Sequence, residues 1–273
     1  MSVARNLPFL MDLARGNVSH MWRENIVGEN PVISLATDPE DVWDYSASRT
    51  YTAPGGAALF ISSSAGADTQ EVLVHVLVEN ASAEWILETL TVTLVGQAKT
   101  AIPVASGLLP VRVLKVENND SSDFAGDVYV YEDDTLALGV PTTPAKVRAK
   151  VRIGNNKTLM AMYTIPSNRQ GFLTRFVART SSTIDPQKVP SPGYTYAKLP
   201  IVAIYIREFG GVWKCLTRGA ISSMGSSNWE EDLTAIPLLP AKTDIKWTVD
   251  EVGDNNCSVV CGFDIVMQVA PVT

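Results

Sequence analysis

Two neighbouring stretches decide the fold: Glu71-Val-Leu-Val-His-Val-Leu-Val-Glu79 and Thr89-Leu-Thr-Val-Thr-Leu94. The first is apolar on both of its faces, which is typical of a central strand between packed layers. The second alternates polar and apolar residues, so one face of this strand should meet solvent. Between them, Asn80-Ala-Ser82 supplies residues that favour a turn. The two stretches therefore predict antiparallel β-structure.

The same pattern continues outward along the chain, where short strand-like segments alternate with turn residues. These segments are 57–63, 111–117, 126–132, 147–153, 158–165, 172–180, 201–209, 212–218, 244–249 and 258–269. Gly154-Asn-Asn-Lys157 predicts a hairpin between 147–153 and 158–165, and Gly210-Gly211 predicts a second hairpin. We therefore predict an all-β fold with two antiparallel, jelly-roll-like β-sandwich halves, 41–144 and 145–273.

Residues 1–40 differ from the rest because they show no sustained period of two. They contain Arg5, Arg15, Gly16 and Arg23 among scattered apolar residues. We predict an extended N-terminal arm over 1–40 that becomes ordered by lying on a neighbouring subunit or another protein. A frayed terminus is the alternative.

The composition and charge of the chain argue against several classes of partner. The 273 residues include 68 Val, Ile and Thr, and 19% of the chain is charged, against about 25% in ordinary soluble proteins. A net charge of −7 argues against a nucleic-acid clamp, which needs clustered Lys and Arg. No stretch approaches the 18 or so consecutive apolar residues of a membrane span. The first residues lack the apolar run of a secretion signal. These features predict no nucleic-acid partner, no membrane partner and synthesis in a cytoplasm.

The three cysteines do not form a disulfide framework. Cys257 and Cys261 lie four residues apart in a strand-like segment, which places them about 13 Å apart. A disulfide needs Cα atoms within about 7 Å. A zinc site at Cys257 and Cys261 would need two more ligands, and Cys215 could supply only one of them. Buried free thiols are the prediction.

The polar clusters point to ordinary structure. The acidic runs are 132–134, 230–232 and 250–251, and adjacent carboxylates in turns are usually solvated. The oxygen-rich loops 117–123 and 253–256 could hold Ca²⁺, but their spacing is not that of an EF-hand and suits Asx turns. His75 lies among valines, with Glu71 and Glu79 too far along the strand to pair with it. It is expected to be a satisfied core or interface histidine.

Motifs that would indicate an enzyme are missing from the sequence. Gly55-Gly56 lacks the lysine of a phosphate loop, and no Gly-x-Ser-x-Gly occurs. The six tryptophans could line a sugar site, although Trp43, Trp213 and Trp247 lie in strand-like segments where core packing is the default. We therefore predict a chain that is not an enzyme, with no catalytic, cofactor-binding or metal-binding residues.

Eight segments occur in an order that is informative as a set. They are Asp41-Val-Trp-Asp44, Ile61-Ser-Ser-Ser64, Ala67-Asp-Thr69, 88–96, Gly126-Asp-Val-Tyr-Val130, 153–166, Lys242-Thr-Asp-Ile-Lys246 and Gly262-Phe-Asp-Ile-Val266. This order, over about 41–268, resembles a family of virion structural proteins of tailed bacteriophages, frequent among aquatic phages. In that family a Gly-Thr-Gly-Ala-like turn usually follows the Asp-Thr pair, where this chain has Gln70-Glu71. The resemblance implies an all-β particle protein and supplies no catalytic residues.

A particle subunit is the function that these features favour. We predict a tailed-phage virion component made in the host cytoplasm, most simply a capsid decoration or cement protein that binds the major capsid protein. Alternatives are a tail or head-to-tail component, or a host-glycan-binding adsorption module. Its partners would be other virion proteins, and a homo-oligomer, with a trimer favoured, is expected because Val72–Val78 and Ile201–Ile206 offer apolar strand surface that a neighbour would cover.

Overall fold

The computed structural model describes residues 11–13, 15–33, 39–46, 48–49, 57–181, 200–221, 228–233, 237–251 and 257–269. Nearly all of the regular structure in these residues is strand, and the strand pairs are antiparallel. The predicted all-β fold is confirmed. β-branched side chains account for this bias, because they suit a pleated and half-buried surface.

The described residues form nineteen strands, one short 3-10 helix at Pro144–Lys146 and a helical turn at residues 11–13. In chain order the strands are β1 (Met21–Ile33), β2 (Glu40–Asp41), β3 (Leu59–Ser63), β4 (Glu71–Glu79), β5 (Trp85–Thr93), β6 (Thr100–Ala101), β7 (Leu109–Asn118), β8 (Val128–Glu132), β9 (Leu136–Ala137), β10 (Val140–Pro141), β11 (Val147–Val151), β12 (Met162–Thr164), β13 (Arg169–Ser181), β14 (Ile201–Arg207), β15 (Lys214–Ala220), β16 (Asn228–Asp232), β17 (Leu238–Leu239), β18 (Asp244–Glu251) and β19 (Cys257–Val269).

The strands from β3 to β11 form the first half. One sheet has the order β11-β8-β3-β6, another has the order β5-β4-β7, and β9 pairs with β10. Alternate residues of these sheets, such as Ile61, Val74 and Val130, are fully buried in a shared cluster that we call core 1. Arg49 ties two of the strands together, because its guanidinium donates to the carbonyls of Arg148 in β11 and Val113 in β7.

The second half takes its strands from both ends of the chain. Its sheets have the orders β1-β19-β13-β16, with β17 beside β13, and β12-β18-β14-β15, with β2 beside β18. Both contribute to core 2, where Phe176, Trp229 and Trp247 meet edge to face with ring centroids 4.9 to 6.0 Å apart. Leu77 and Trp85 of the β5-β4-β7 sheet also belong to core 2, so this sheet packs against both halves.

The arm prediction needs a correction over residues 21–33. This segment is β1, and it pairs with β19 from Met21↔Gln268 to Ile33↔Cys257. Ile26 and Ile33 are buried in core 2. The strand was not evident in the sequence for two reasons. The polar residues at its exposed start hide the alternation of the strand, and its partner strand lies almost 250 residues away in the chain. Residues 1–10 and 34–38 of the predicted arm lie outside the described residues.

Two further predictions in the middle of the chain are corrected. The segments 147–153 and 158–165 do not pair as a hairpin, because β11 pairs with β8 and β12 pairs with β18. The boundary between 144 and 145 therefore separates β11 from its own sheet. Turn residues at 154–157 identified a reversal of the chain, but turn chemistry alone does not say which strand becomes the partner.

The apolar strands behind the oligomer prediction are covered within the chain. β4, with Val72–Val78, lies between β5 and β7, and β14, with Ile201–Ile206, lies between β18 and β15. Their β-branched surface therefore does not require a neighbouring subunit, and the oligomeric state stays a prediction.

Candidate functional site: an apolar hairpin end

Three turns converge at one end of the second half. Residues 208–213 join β14 to β15, residues 240–243 lead into β18, and residues 80–84 join β4 to β5. Gly210 has a φ of 74°, and the amide of Gly211 donates to the carbonyl of Glu208, so the predicted Gly210-Gly211 hairpin is confirmed. We call these three turns and the side chains packed between them the hairpin end.

An aromatic pair and a lysine hold the hairpin end together. The rings of Trp85 and Phe209 meet edge to face with centroids 5.3 Å apart. The Lys242 ammonium lies 5.0 Å from the centroid of Trp85 and 4.8 Å from that of Phe209, and it donates to the carbonyl of Ala83 at 2.7 Å. Cations at such distances from ring faces are attracted by the ring quadrupole, by about 0.5–1 kcal/mol at exposed sites. The three turns are therefore locked to one another.

A second aromatic–cation group supports the base of the hairpin. Trp213 has the Arg207 guanidinium 4.5 Å and the Lys246 ammonium 4.9 Å from its ring centroid. Both cations also meet carboxylates: Arg207 binds Asp244 at 2.5 Å, and Lys246 binds Asp41 at 2.6 Å. Because cations and acids are matched here, the charges are largely neutralised within the structure.

Asp244 is the polar centre beneath these groups. Its side chain is 5% exposed and accepts hydrogen bonds from Arg112, Arg207 and the Thr164 hydroxyl. Arg112 comes from β7 of the first half and also faces the ring of Trp85 at 5.5 Å. Asp244 therefore links both halves directly below the hairpin.

The hairpin end exposes two large apolar side chains beside polar ones such as Glu208, whose side chain is 57% exposed. Phe209 is 65% exposed and Val212 is 72% exposed, on either side of Gly210-Gly211. What distinguishes these two side chains from other exposed apolar residues, such as Leu138, is that they lie close together on a base fixed by cation–π contacts. Sequence reasoning missed these residues, and the available signal was an aromatic and a valine flanking two glycines at a hairpin tip.

His75 is satisfied, as predicted, but by neighbouring strands rather than by its own. Its Nε2 lies 3.0 Å from Glu117 Oε1 on β7, and its Nδ1 lies 3.2 Å from the Thr89 hydroxyl on β5. Glu71 and Glu79 are not its partners. Its side chain is 22% exposed and lies on the face of β4 that also carries Leu77 of core 2, so it borders that core without being a member of it.

The cysteines that the structure describes are free thiols. Cys215 is exposed, whereas Cys261 is fully buried in core 2, where burial raises its pKa well above the ordinary value. The prediction of buried thiols is thus right for Cys261 and wrong for Cys215, which lies on an edge strand. The side chain of Cys257 is outside the described residues.

The acidic runs are structural. Glu132 pairs with Arg148, Asp133 with Lys99 at 2.5 Å, and the buried Asp134 accepts from the amide of Thr143 at 2.7 Å. Glu230 pairs with Arg175. The acidic runs were predicted to be solvated, but several of their carboxylates instead bind side chains or amides of neighbouring strands and turns.

The predicted oxygen-rich loop at 117–123 forms Asx turns. The amide of Asp120 donates to Asn118 Oδ1 at 2.9 Å. In the described part of the chain, no group of three or more His, Cys, Asp and Glu side chains could hold a metal ion. The loop at 253–256 lies outside that part.

Asp68 organises the turns beside this loop, a role that sequence reasoning did not assign. It is fully buried and accepts from the amides of Ala125 at 2.7 Å and Gly126 at 3.1 Å, and from the Ser63 hydroxyl. Two of its three donors, the amides of Ala125 and Gly126, lie 57 and 58 residues away in the chain, so the sequence alone gave no sign of them.

The tryptophans offer little open ring surface for a sugar. Trp43, Trp85 and Trp247 are at most 5% exposed, and Trp229 packs against core 2. Cations cover Trp213, as described above, and the Arg169 guanidinium lies 3.9 Å from the centroid of Trp22, which is 38% exposed. Core packing and cation–π contacts account for these rings.

Among the described residues, no helix has the length and apolar character needed to cross a membrane. No protein-family model matches the chain, and no curated protein matches it. Among solved structures, the chain is similar to the infectious bursal disease virus VP2 subviral particle, with a TM-score of 0.25 and 10% identity over 96% of this chain and 78% of that one.

Two further structures of the same virus show a comparable likeness. The Gt strain has a TM-score of 0.18 and 11% identity over 96% of this chain and 78% of that one. The T=1 particles have a TM-score of 0.19 and 12% identity over 96% and 80%. TM-scores this low transfer neither a fold nor a function.

Proposed function

We propose that the chain is a structural component of a tailed-phage virion, a capsid decoration protein that binds the major capsid protein. The observation that carries this proposal is the hairpin end, which presents Phe209 and Val212 to solvent on a base fixed by cation–π contacts. The sequence resemblance to virion structural proteins gives the class of partner.

The form of the hairpin end suits binding to a protein surface. Its cations are engaged with rings, carboxylates or a carbonyl, so the exposed apolar side chains of Phe209 and Val212 are the groups proposed to contact the partner. Burial of apolar area is not screened by salt as exposed ion pairs are. Attachment to particles should therefore withstand high salt.

The decisive experiment compares Phe209→Asp with Leu138→Asp in particle binding. Both place a carboxylate at an exposed apolar position, but Leu138 is 78% exposed on the first half, between β9 and β10. Phe209→Asp should reduce the amount of protein bound to particles at least tenfold, since a central apolar contact is worth about 2 kcal/mol or more. Leu138→Asp should bind as the unmodified chain does.

Two controls complete this test. Circular dichroism and thermal melting of each variant confirm that the chain is folded. Particles are then washed in roughly 10 mM and 1 M salt, between which the Debye length shrinks about tenfold. Equal binding of the two variants, or release by high salt alone, would show that the hairpin end is not the attachment surface. Gold labelling of particles separates a capsid position from a tail or head-to-tail position.

A further inference from the structure

The outer edge of β5 differs from the other long edges of the sheets. β5 pairs with β4 through nine consecutive residues, from Glu71↔Thr93 to Glu79↔Trp85, without a register shift. No strand lies on its other side among the described residues. An edge of this kind presents a row of unpaired amides and carbonyls to solvent.

The hydrogen-bond phase of β5 identifies which residues face outward. Leu94 donates to the carbonyl of Gln70, and Asn80 donates to that of Glu84, so the even-numbered residues of β5 bond to β4. The amides and carbonyls of the odd-numbered residues therefore point away from β4. Those of Trp85 are occupied, because its amide donates to the Ser167 hydroxyl and its carbonyl accepts from the Ser167 amide. Leu87, Thr89, Thr91 and Thr93 remain.

Long edge strands such as β15 and β16 carry several charges that oppose pairing, whereas β5 carries one. Lys214 and Arg218 lie on the edge strand β15, and Glu230 and Glu231 lie on β16. Natural sheets use such side chains to block edge-to-edge contacts. The single charge on β5 is Glu88, within the sequence Trp-Ile-Leu-Glu-Thr-Leu-Thr-Val-Thr.

We propose that β5 pairs with β5 of a second copy of this chain about a two-fold axis at Leu90. The four open residues are symmetric about Leu90, so this axis places Leu87 opposite Thr93 and Thr89 opposite Thr91 of the second copy. Each such pair exchanges two main-chain hydrogen bonds. Two three-stranded sheets thereby become one sheet of six strands.

Charge supports a second copy as the occupant. With the axis at Leu90, Glu88 lies opposite Val92 of the other copy, so the two carboxylates are not paired. An axis at Glu88 would oppose like charges, which is destabilising, and would bring the occupied Trp85 into the pairing. Only the axis at Leu90 pairs all four open residues, and it also keeps the two Glu88 carboxylates apart. This dimer is independent of the hairpin end and of the proposed function.

A register-specific disulfide tests the proposal directly. At a non-hydrogen-bonded antiparallel pair the Cα atoms lie about 4.5 Å apart, which a disulfide can span. In a Cys215→Ser background, Leu90→Cys should therefore give a covalent dimer under mild oxidation. Thr91→Cys is the matched control, because its two copies would lie about 9 Å apart, beyond disulfide reach. The background alone reports any reaction of the native cysteines.

The mass in solution provides the second measurement. Sedimentation up to roughly 1 mM protein, a range that covers weak small interfaces, should show a species of twice 29.5 kDa. Thr91→Lys should raise the dissociation constant at least tenfold, whereas Thr217→Lys on the already charged β15 should leave it unchanged. A monomer at every concentration, a trimer, or cross-linking of Thr91→Cys equal to that of Leu90→Cys would overturn the proposal.

Discussion

The two halves of the molecule each bury an apolar core between sheets, but they take their strands from different parts of the chain. Core 1 takes most of its side chains from β3 to β11, with Trp43, Met160 and Met162 added from outside that segment, whereas core 2 is closed by β1 pairing with β19 from the opposite end of the chain. Both cores bury β-branched and aromatic side chains almost completely. The difference is that the second half is complete only when the two ends of the chain have met.

This difference predicts where the molecule is most vulnerable. Long-range pairing must meet the cost of closing a long loop before its contacts form. The first half contains the regular β4–β5 hairpin, and its remaining strands follow within the same segment. Loss of β1 should therefore damage the second half far more than the first.

Deletion of residues 2–33 is expected to have the largest effect. It removes β1, uncovers β19 and takes Ile26 and Ile33 out of core 2. The loss should be comparable with the whole stability of a domain, about 5–15 kcal/mol. The near-ultraviolet circular dichroism of the core 2 tryptophans and the thermal transition should both change strongly. A truncated chain that melts like the full chain would restore the interpretation of 21–33 as part of an arm that the fold itself does not need.

Point variants on β1 separate core packing from strand deletion. Ile33→Ala removes a fully buried side chain and should cost about 2–5 kcal/mol in the free energy of unfolding. Its neighbour Val32 is 61% exposed, so Val32→Ala should cost within about 0.5 kcal/mol. Denaturant unfolding measures both values, and equal effects would mean that β1 does not contribute through its buried face.

The strands that could be predicted from the sequence are those whose signal is local. Strand β4 has the predicted bounds, and the Gly210-Gly211 hairpin forms as predicted, because alternation and turn chemistry act over a few residues. Strand β1, the pairing of β11 with β8, and the donors around Asp68 depend on residues far away in the chain. No local pattern encodes such partners.

The hairpin end shows the same limit at the level of a site. Its turn could be predicted, but its geometry depends on Trp85, Lys242 and Arg112, which come from three separate segments. Each is unremarkable in the sequence. Their meeting follows from the packing of the β5-β4-β7 sheet against core 2, which composition and periodicity do not specify.

The second expected effect concerns the junction between the halves. Asp244→Ala leaves the buried guanidinium of Arg112 without its carboxylate and also removes the partner of Arg207. Breaking a buried ion pair from one side costs about 3–5 kcal/mol. Asp133→Ala is the matched control, because its side chain is 73% exposed in a surface pair with Lys99 that is worth about 0–1 kcal/mol. Denaturant unfolding that gives equal losses would mean that Asp244 does not join the halves.

The smallest expected effect is a pH dependence at the place where β1 meets the first half. Burial raises the pKa of Glu24 on β1, and nearby Lys115, His75 and Arg169 only partly oppose it, with Glu117 adding repulsion. The hydroxyl of Tyr163 also lies near Glu24, and it is buried with no hydrogen-bond partner among the residues that the structure describes. Burial also favours a raised pKa for Glu117, but hydrogen bonds from Lys115 and His75, with their charges, outweigh it and lower that pKa.

The two carboxyls should therefore affect stability with opposite signs. A group whose pKa is raised on folding stabilises the fold below its unfolded pKa, and that contribution is lost as the pH rises through the folded value. Glu24→Gln should thus gain stability relative to the unmodified chain as the pH rises from about 4 to 7.

A lowered pKa, as at Glu117, stabilises the fold above the unfolded pKa, and this contribution is lost as the pH falls through the folded value. Glu117→Gln should be the less stable variant at neutral pH, with the deficit shrinking toward acid. Urea unfolding at several pH values measures both, and parallel pH profiles for the two variants would contradict the opposite environments of these carboxyls.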